Sequence, residues 1–456
     1  MKSSRITISR FISPAEYSAD NSYNYNGNNG NLNNNNNKYN TLGVRGVLEL
    51  LRLQPDLESL PFPLSEFYDT YRITRRNKAC KPSHMCFRQH YQTELMKLCY
   101  EVNSQTYNPI TSIAFIITKP KPREVIAADF RDRVVQTLFV ENLLYYLEKY
   151  EHPHSYSCRI GKGSLAAVKR FEELNEKYRG GYVCFLDLAN HFMSINTDFW
   201  TSQIVKFINR YYDVTQERKE LLTFLADKIY NHKPQNDCIR KSSLDAWNLI
   251  PAKKSLFHSE TGLPIGNVTS QMLSNFLTTP YLRRVEKEGF EFGFYTDDMG
   301  IFTFNKDELL RFIPKLRKFL KDKYGLTLHP NKIYIQHISK GFNALGFRIK
   351  RNNITPSKRI VNNFYHTIDS FSQKGFKEIE TISSKVNSYL GLLSWSHSYN
   401  VRKEGILRLQ KARWNKFLRF MPNFLKIEIR PQYTKEFYYK KYNQQRKRES
   451  LKLQML

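Results

Sequence analysis

The tetrad Tyr295-Thr296-Asp297-Asp298 sets two carboxylates side by side between two apolar, strand-forming arms. Like charges that close resist joint ionisation unless a cation lies between them. Phe292, Phe294, Ile301 and Phe302 place the turn against a core, not in open solvent. Asp-Asp alone also describes an ordinary acidic hairpin tip, so a second acid is what turns the pattern towards chemistry. Asp187 supplies it, at the end of the apolar run Gly181-Tyr182-Val183-Cys184-Phe185-Leu186. Two strands that each deliver carboxylates at one end can hold two Mg2+ ions, which orient an attacking hydroxyl and stabilise a pentavalent phosphate. Magnesium takes oxygen ligands and keeps waters and substrate phosphates around it. Asp187 and Asp297 are the expected bridging ligands and Asp298 an accessory one. Leu188 joins them in the candidate metal set, and Mn2+ is the alternative ion.

Those acids need elements to hold them. Residues 181–188 read as a buried strand ending in an acid, and 292–304 as a β-hairpin. Residues 112–118 are strand-like and precede a turn-rich stretch. Helical periodicity runs over 128–150, 198–231, 267–289 and 308–323, and 332–336 and 343–349 are strand-like. Residues 232–260 read as a polar, irregular insertion. Beyond Thr355 the pattern is helical as far as 425, with 386–396 and 403–420 the clearest segments. This order suits an α+β fold, in which a palm of antiparallel strands holds the acids between a fingers region and a helical thumb. The expected divisions are an N-terminal extension over 1–60, fingers over 61–181 together with 232–275, palm over 182–352, thumb over 353–425 and a basic tail over 426–456. Twelve asparagines lie between 21 and 40. Such a run cannot bury apolar surface, so 20–41 is expected to be disordered, with a helix at 44–53 behind it.

Lys and Arg number 71 against 42 Asp and Glu, a formal net charge of +29. An excess of that size attracts polyanions, of which nucleic-acid backbones are the commonest. A solvated basic protein, such as a ribosome-associated factor, is the bland alternative. Aromatic residues make up 14% of the chain, which suits stacking on bases and equally an ordinary core. No run approaches the roughly 20 apolar residues of a membrane span. The N-terminus lacks the apolar block of a secretion signal, and the six cysteines are scattered, as in a reducing compartment. The expected location is the cytoplasm, with no membrane partner. Cys80, His84, Cys86 and His90 have a spacing that matches no common zinc finger, so ordinary buried or surface roles are expected of them.

The segment from Asp187 to Phe192, followed by Tyr295-Thr296-Asp297-Asp298, resembles the A and C motifs of reverse transcriptases, whose C motif reads Tyr-x-Asp-Asp. Between them, Gly262-Leu263-Pro264-Ile265-Gly266-Asn267-Val268-Thr269-Ser270-Gln271 looks like that family's B motif in a particular version. Most relatives have Gln where this chain has Ile265 and Pro where it has Gln271. The form found here resembles diversity-generating retroelement reverse transcriptases and related bacterial defence-associated enzymes. Three further stretches are similar: Lys119-Pro120-Lys121-Pro122-Arg123-Glu124 with Phe130-Arg131-Asp132-Arg133, then Ser155 to Gly163, then Leu328-His329-Pro330-Asn331-Lys332. The resemblance runs from Ile113 to Arg402. Residues 1–60, the 232–260 insertion and the basic tail lie outside it, and Asn190-His191 stand where the family varies.

What the resemblance implies is a right-hand polymerase that makes cDNA from a dedicated RNA template or noncoding RNA, using dNTPs. An accessory protein or a partner reverse transcriptase is a further expected partner. Phe192 would lie under the incoming sugar and block a 2′-hydroxyl. Arg123, with Lys119 or Lys121, would neutralise the triphosphate as charge develops on the leaving pyrophosphate. Gly266 would let backbone approach the template–nucleotide pair, which Ser270 and Gln271 would face. Tyr295 joins the nucleotide-binding set. Lys332 would act as a general acid towards pyrophosphate. Arg131 and Arg133 are expected on template or primer, with Leu345-Gly346-Phe347 as the turn that grips the primer end. Tyr389, Trp395, Arg402 and Arg408 in the thumb suit an A-form hybrid. In the resembled family this B motif goes with error-prone copying, especially at adenines.

Two other readings use the same residues. An RNA-directed RNA polymerase would share the palm and the metals, but Phe192 leaves no room for a 2′-hydroxyl. A non-catalytic RNA-binding scaffold would not need all three acids. No nuclease, integrase, protease or ribonuclease H segment is recognisable, so insertion and template removal are expected to fall to other proteins. The terminal extensions set an antiviral defence role beside the retroelement one.

Overall fold

The computed structural model describes residues 57–78, 80–118, 121–371, 378–434 and 443. The Asn-rich tract, the expected helix at 44–53, Lys119 and most of the basic tail lie outside the described residues. The elements, in order, are α1 (Leu64–Thr74), α2 (Pro82–Gln89), α3 (Tyr91–Asn103), β1 (Ser112–Ile117), β2 (Arg123–Ala127), α4 (Phe130–Tyr150), α5 (Ser164–Lys177), β3 (Tyr182–Asp187), α6 (Thr197–Tyr211), α7 (Gln216–Tyr230), β4 (Cys238–Arg240), α8 (Leu244–Asn248), α9 (Val268–Lys287), β5 (Glu291–Tyr295), β6 (Asp298–Thr303), α10 (Lys306–Tyr324), β7 (Tyr334–His337), β8 (Phe342–Ala344), β9 (Phe347–Lys350), β10 (Asn353–Pro356), α11 (Lys358–Phe371), α12 (Ile379–Leu393), α13 (Tyr399–Lys411), β11 (Leu418–Phe420) and β12 (Ile427–Ile429). Helices and largely antiparallel sheets make it an α+β fold, as the residue patterns imply. Among the described residues no helix is long and apolar enough to cross a membrane.

The chain forms two compact units. One takes residues up to 163 and 184–334 of those described, the other 164–183 and the residues from 335 onward. In the first, α4 is buried nearly all round, with Val134, Leu138, Phe139 and Leu143 fully inside. Helices that are apolar on every side belong at the centre of a unit, and α1 and α9 pack on this one. Asp129 caps it, accepting a hydrogen bond from the Arg131 backbone N–H at 2.9 Å. β1 and β2 form an antiparallel hairpin from Ile113↔Ala127 to Ile117↔Arg123. β5, β6 and β3 lie side by side in that order, and burial along β6 is continuous from Met299 to Thr303.

Segment 232–260 is more ordered than its polarity implies. β4 adds to β1 in parallel, Ser112↔Cys238 to Ala114↔Arg240. The Arg240 guanidinium sits 3.8 Å from the Phe257 ring centroid and 5.2 Å from that of Trp247. Buried Glu124 accepts from the Leu256 N–H at 2.8 Å and from the Ser255 hydroxyl. Polar composition concealed this because the apolar partners, Ala114, Ile126 and Leu256, are shared between distant segments. The single helix expected over 198–231 is two, since Thr215 caps a new start at α7.

In the second unit, α11 buries Ile360, Phe364, Ile368 and Phe371, a spacing of four, four and three that lines one helix face. They meet Ile382, Val386 and Leu390 of α12 and Ile406 and Leu409 of α13. Gly405 allows the close approach, because a Cβ there would run into the Phe364 ring. The helix expected over 403–420 ends at Lys411: Arg413 takes a φ of 63°, and β11 then pairs with β12. Asn387 clamps that hairpin, donating to the Ile427 carbonyl and accepting from its N–H, both at 2.8 Å. The strand expected over 343–349 is a hairpin instead. β8 and β9 turn at Leu345 (φ 48°) and Gly346 (φ 87°), so that Ala344 faces Phe347.

Candidate active site

β3 ends at Asp187, whose carbonyl accepts from the His329 N–H at 2.8 Å. The hairpin β5–β6 closes on Tyr295↔Asp298, leaving Thr296 and Asp297 as its two-residue loop. A two-residue hairpin loop with positive φ at its first position matches the right-handed twist of the strands. Here that position is Thr296, at φ 59°, unusual for a β-branched residue. Its hydroxyl is paired with that of Ser157 at 2.8 Å. The segment before Ser157 runs beside β5, with the Tyr156 N–H donating to the Phe294 carbonyl and the Phe294 N–H to the His154 carbonyl, each at 3.0 Å.

This arrangement brings the three acids together. Asp297 lies in the field of its neighbours, and its carboxyl is pushed up to about 7, first by burial and then by the charges of Asp298 and Asp187. Asp298 lies at the exposed end of β6. Its carboxyl is also raised, by its low-dielectric surroundings and by Asp187, against the opposing charges of Lys332 and Lys121. Lys332 is ion-paired with Asp187, and that hydrogen bond raises its ammonium pKa. Leu188 is buried, in a bridge with Leu328, and can offer a cation only its backbone carbonyl.

Among the described residues, no set of three or more His, Cys, Asp or Glu side chains already converges as a metal cage. The donor chemistry nevertheless fits a hard divalent cation. Carboxylates at neighbouring strand ends repel one another, and a lysine ammonium already sits against one of them. Mg2+ leaves part of its shell to water and substrate phosphate, so a cage supplied wholly by protein is not what it needs.

The turn after Asp187 carries Phe192 and is fixed from two sides. Its carbonyl accepts from the Leu263 N–H, and the Ile195 carbonyl from the Gly262 N–H, both at 2.8 Å. A Cβ on Gly262 would lie 2.9 Å from the Met193 Cα, so only glycine lets these chains meet. His191, fully buried, pairs its Nε2 with the Ser274 hydroxyl at 2.8 Å. Burial pushes its imidazole down to about 4, with Asp187 opposing, which keeps it neutral. Phe192 itself is half-buried, edge-on to that ring at 5.5 Å.

Gly266 is exposed at φ 124°, and a Cβ there would stand 2.9 Å from the Val125 side chain. The neighbouring Ile126 N–H donates to the Ile265 carbonyl at 3.1 Å, which ties this loop to β2. Lys121 and Arg123, beside and at the start of β2, are exposed. Gln271 and Tyr295 are half-buried and Ser270 is buried, so Gln271 is the better exposed of the pair expected to face a substrate.

Arg131 departs from its expected place on template or primer. Its guanidinium is buried and bonded to Glu101 and Asp132 inside the first unit, so its charge is neutralised there and is not offered to template or primer. A basic residue two positions into a helix gave no sign of the acids awaiting it. Arg133 is half-buried, donating from Nε to the Ala128 carbonyl at 2.8 Å. Leu345 and Gly346 are in the second unit, where the Gly346 carbonyl accepts from the Ser357 N–H at 2.9 Å. In the second unit, Arg402 is buried and donates to the Ser398 hydroxyl, while Arg408 pairs with Asp369 and Glu404. Cys80 and Cys86 are exposed, whereas His84 is buried 4.8 Å from the Phe130 ring. Ser157, Thr296, Ser274 and Asn275 were not singled out by sequence, although all lie within or next to the motifs.

The reverse transcriptase (RNA-dependent DNA polymerase) family model matches residues 117–349, more than half of the chain, and the protein belongs to that family. No curated protein matches its sequence. Among solved structures it is similar to apo telomerase from Candida tropicalis, at 13% identity and a TM-score of 0.42, over 67% of this chain and 60% of that one. It is also similar to telomerase from Candida albicans in complex with a fragment of telomeric RNA, at 10% identity and a TM-score of 0.41, over 71% and 61%. The chain thus spans about three fifths of the telomerase chains it matches.

Proposed function

We propose that this protein is an RNA-directed DNA polymerase that makes cDNA on a dedicated RNA by two-metal nucleotidyl transfer. The observation that carries the reading is the placement of Asp187 at the end of β3 beside the β5–β6 turn that holds Asp297 and Asp298, within the residues that the reverse transcriptase match covers. Members of this family generally use divalent metal ions. Asp187, Asp297 and Asp298 would hold Mg2+ or Mn2+, which supplies Lewis-acid stabilisation of the phosphate and its attacking hydroxyl. The remaining residues bind and orient. Exposed Lys121 and Arg123 supply positive charge for a triphosphate. Phe192, held from both sides, excludes a 2′-hydroxyl and selects dNTPs. Gln271 and Tyr295 border the nucleotide. Lys332, kept protonated by Asp187, has a proton to give the leaving pyrophosphate once that ion pair opens.

The Ile265 and Gln271 version of the loop supports a bacterial setting, either a diversity-generating retroelement or antiviral defence. Partners would be the RNA template or noncoding RNA, the DNA product, and an accessory protein or second reverse transcriptase. The deciding experiment is primer extension in the cytoplasm-like presence of Mg2+ and labelled dNTPs, using protein with its co-purifying RNA beside an Asp297→Ala, Asp298→Ala double variant. DNA made by the unmodified protein alone supports the reading, and its sequence names the template. Incorporation of ribonucleotides in place of dNTPs, or no synthesis after a primer and neighbouring gene products are supplied, refutes it.

A further inference from the structure

Helix α9 carries two buried polar residues in succession, Ser274 and Asn275, and each is bonded to a different part of the candidate active site. Ser274 pairs with His191, next to Phe192. Asn275 donates from Nδ2 to the Ser157 carbonyl at 2.8 Å, and the Ser157 hydroxyl pairs with Thr296, next to Asp297. We propose that Ser274 and Asn275 act as one bracket, which fixes the turn holding Phe192 and the turn holding Asp297 at a set spacing, so that sugar selection and metal placement are aligned by the same helix.

Three physical points support it. Successive residues on a helix point about 100° apart, so one rigid element can reach two separate turns. His191, Ser157, Ser274 and Asn275 are each at most 4% exposed, and buried polar groups are costly unless bonded, which makes each link worth keeping. Finally, both turns they hold need outside support. Thr296 sits at positive φ, and Asn190, which opens the Phe192 turn, is left-handed at φ 48°. Residues in such conformations persist where their surroundings over-determine them. The four are positioning residues: none touches a reacting atom. Asn275 also bonds the buried Glu151, so its loss disturbs more than the bracket.

The inference rests on the polymerase reading for its consequences, so its test separates the two. Full-length protein would copy a homopolymer RNA template with deoxy- or ribonucleotide, across a Mg2+ titration. His191→Ala is expected to lower the preference for deoxynucleotide by about tenfold, the scale of a sub-ångström misplacement, with little change in Mg2+ requirement. Ser157→Ala is expected to raise the Mg2+ needed for half-maximal rate by about tenfold with sugar preference kept. His191→Gln, whose amide nitrogen can take the place of Nε2, should restore selectivity. A role confined to stability would lower melting temperature in both variants and move neither ratio. Folded, active His191→Ala with unchanged sugar preference, or Ser157→Ala with unchanged Mg2+ dependence, overturns the bracket. Absence of synthesis by the unmodified protein is the separate failure, that of the polymerase reading.

Discussion

Replacing Asp297 by Asn should stabilise the metal-free protein while abolishing synthesis, and the stabilisation should depend on pH in one direction. The folded-state carboxyl is pushed up to about 7 from an ordinary 3.8. A shift of that size corresponds to about 4 kcal/mol, and solvent reaching a half-buried group reduces it to about 1–3 kcal/mol. Because the folded pKa is raised, the native state keeps a proton that the unfolded chain has already lost between about pH 4 and pH 7. Wild-type stability therefore falls as pH rises through that window and levels off above it. Asn never ionises, so its contribution stays flat. The assay is denaturation of both proteins in chelator from about pH 4 to pH 8, taking the variant-minus-wild-type difference so that other groups cancel. The difference should grow with pH, and added Mg2+ should shrink it by binding the ionised wild-type site. A difference that is constant with pH would refute the argument that mutual repulsion and burial hold this carboxyl up.

Arg131→Ala should cost about 3 kcal/mol or more, by leaving Glu101 and Asp132 without their cation, and should leave the salt dependence of RNA binding unchanged. A thermal melt and a salt titration separate those effects, and a shallower salt slope would return Arg131 to the nucleic-acid surface. Gly346→Ala meets both a φ of 87° and the Ile360 side chain at 2.7 Å, so a loss of about 1–3 kcal/mol is expected; hydrogen exchange should show it in β8, β9 and α11. Phe192→Val should lower the preference for dNTP over rNTP by about tenfold or more in single-nucleotide extension.

Elements are most legible in the sequence where chemistry and periodicity coincide. The acid-ended strand at Asp187, the hairpin about Asp297 and the helices α4, α9 and α10 all lie within a few residues of their expected bounds. Each has an apolar pattern whose period belongs to one element type. Pairings between distant segments were not legible. Glu124 holding Ser255 and Leu256, β4 completing the sheet of β1, and Arg131 neutralised by Glu101 all depend on partners with no sequence proximity. Backbone irregularity was missed for a related reason. Arg413 takes a left-handed conformation that its residue type disfavours, so the end of α13 carried no glycine or proline signal, whereas the turn at Leu345-Gly346 was legible from its glycine.

The site concentrates what a fold ordinarily avoids. Three carboxylates meet at neighbouring strand ends, a threonine stands at positive φ, and His191 is buried with Nδ1 unpartnered in the described structure. Each is unfavourable by itself. Their supports are drawn from the packed elements behind them: α9 through Ser274 and Asn275, the glycine loop through Gly262 and Leu263, and the turn at Ser157 that follows the bridge to β5. The signs of these terms differ on binding. A divalent cation would relieve the repulsion among the acids, whereas the hydrogen bonds that hold Thr296 and His191 end on Ser157 and Ser274 and involve none of the acids. The scaffold thus has to hold the backbone in advance, while the electrostatic cost is left for the cation to remove. That division fits the hydrogen bonds of the bracket, which end on Ser157, Thr296 and His191 beside the acids, and the exposure of Asp298, which a metal and its waters could reach.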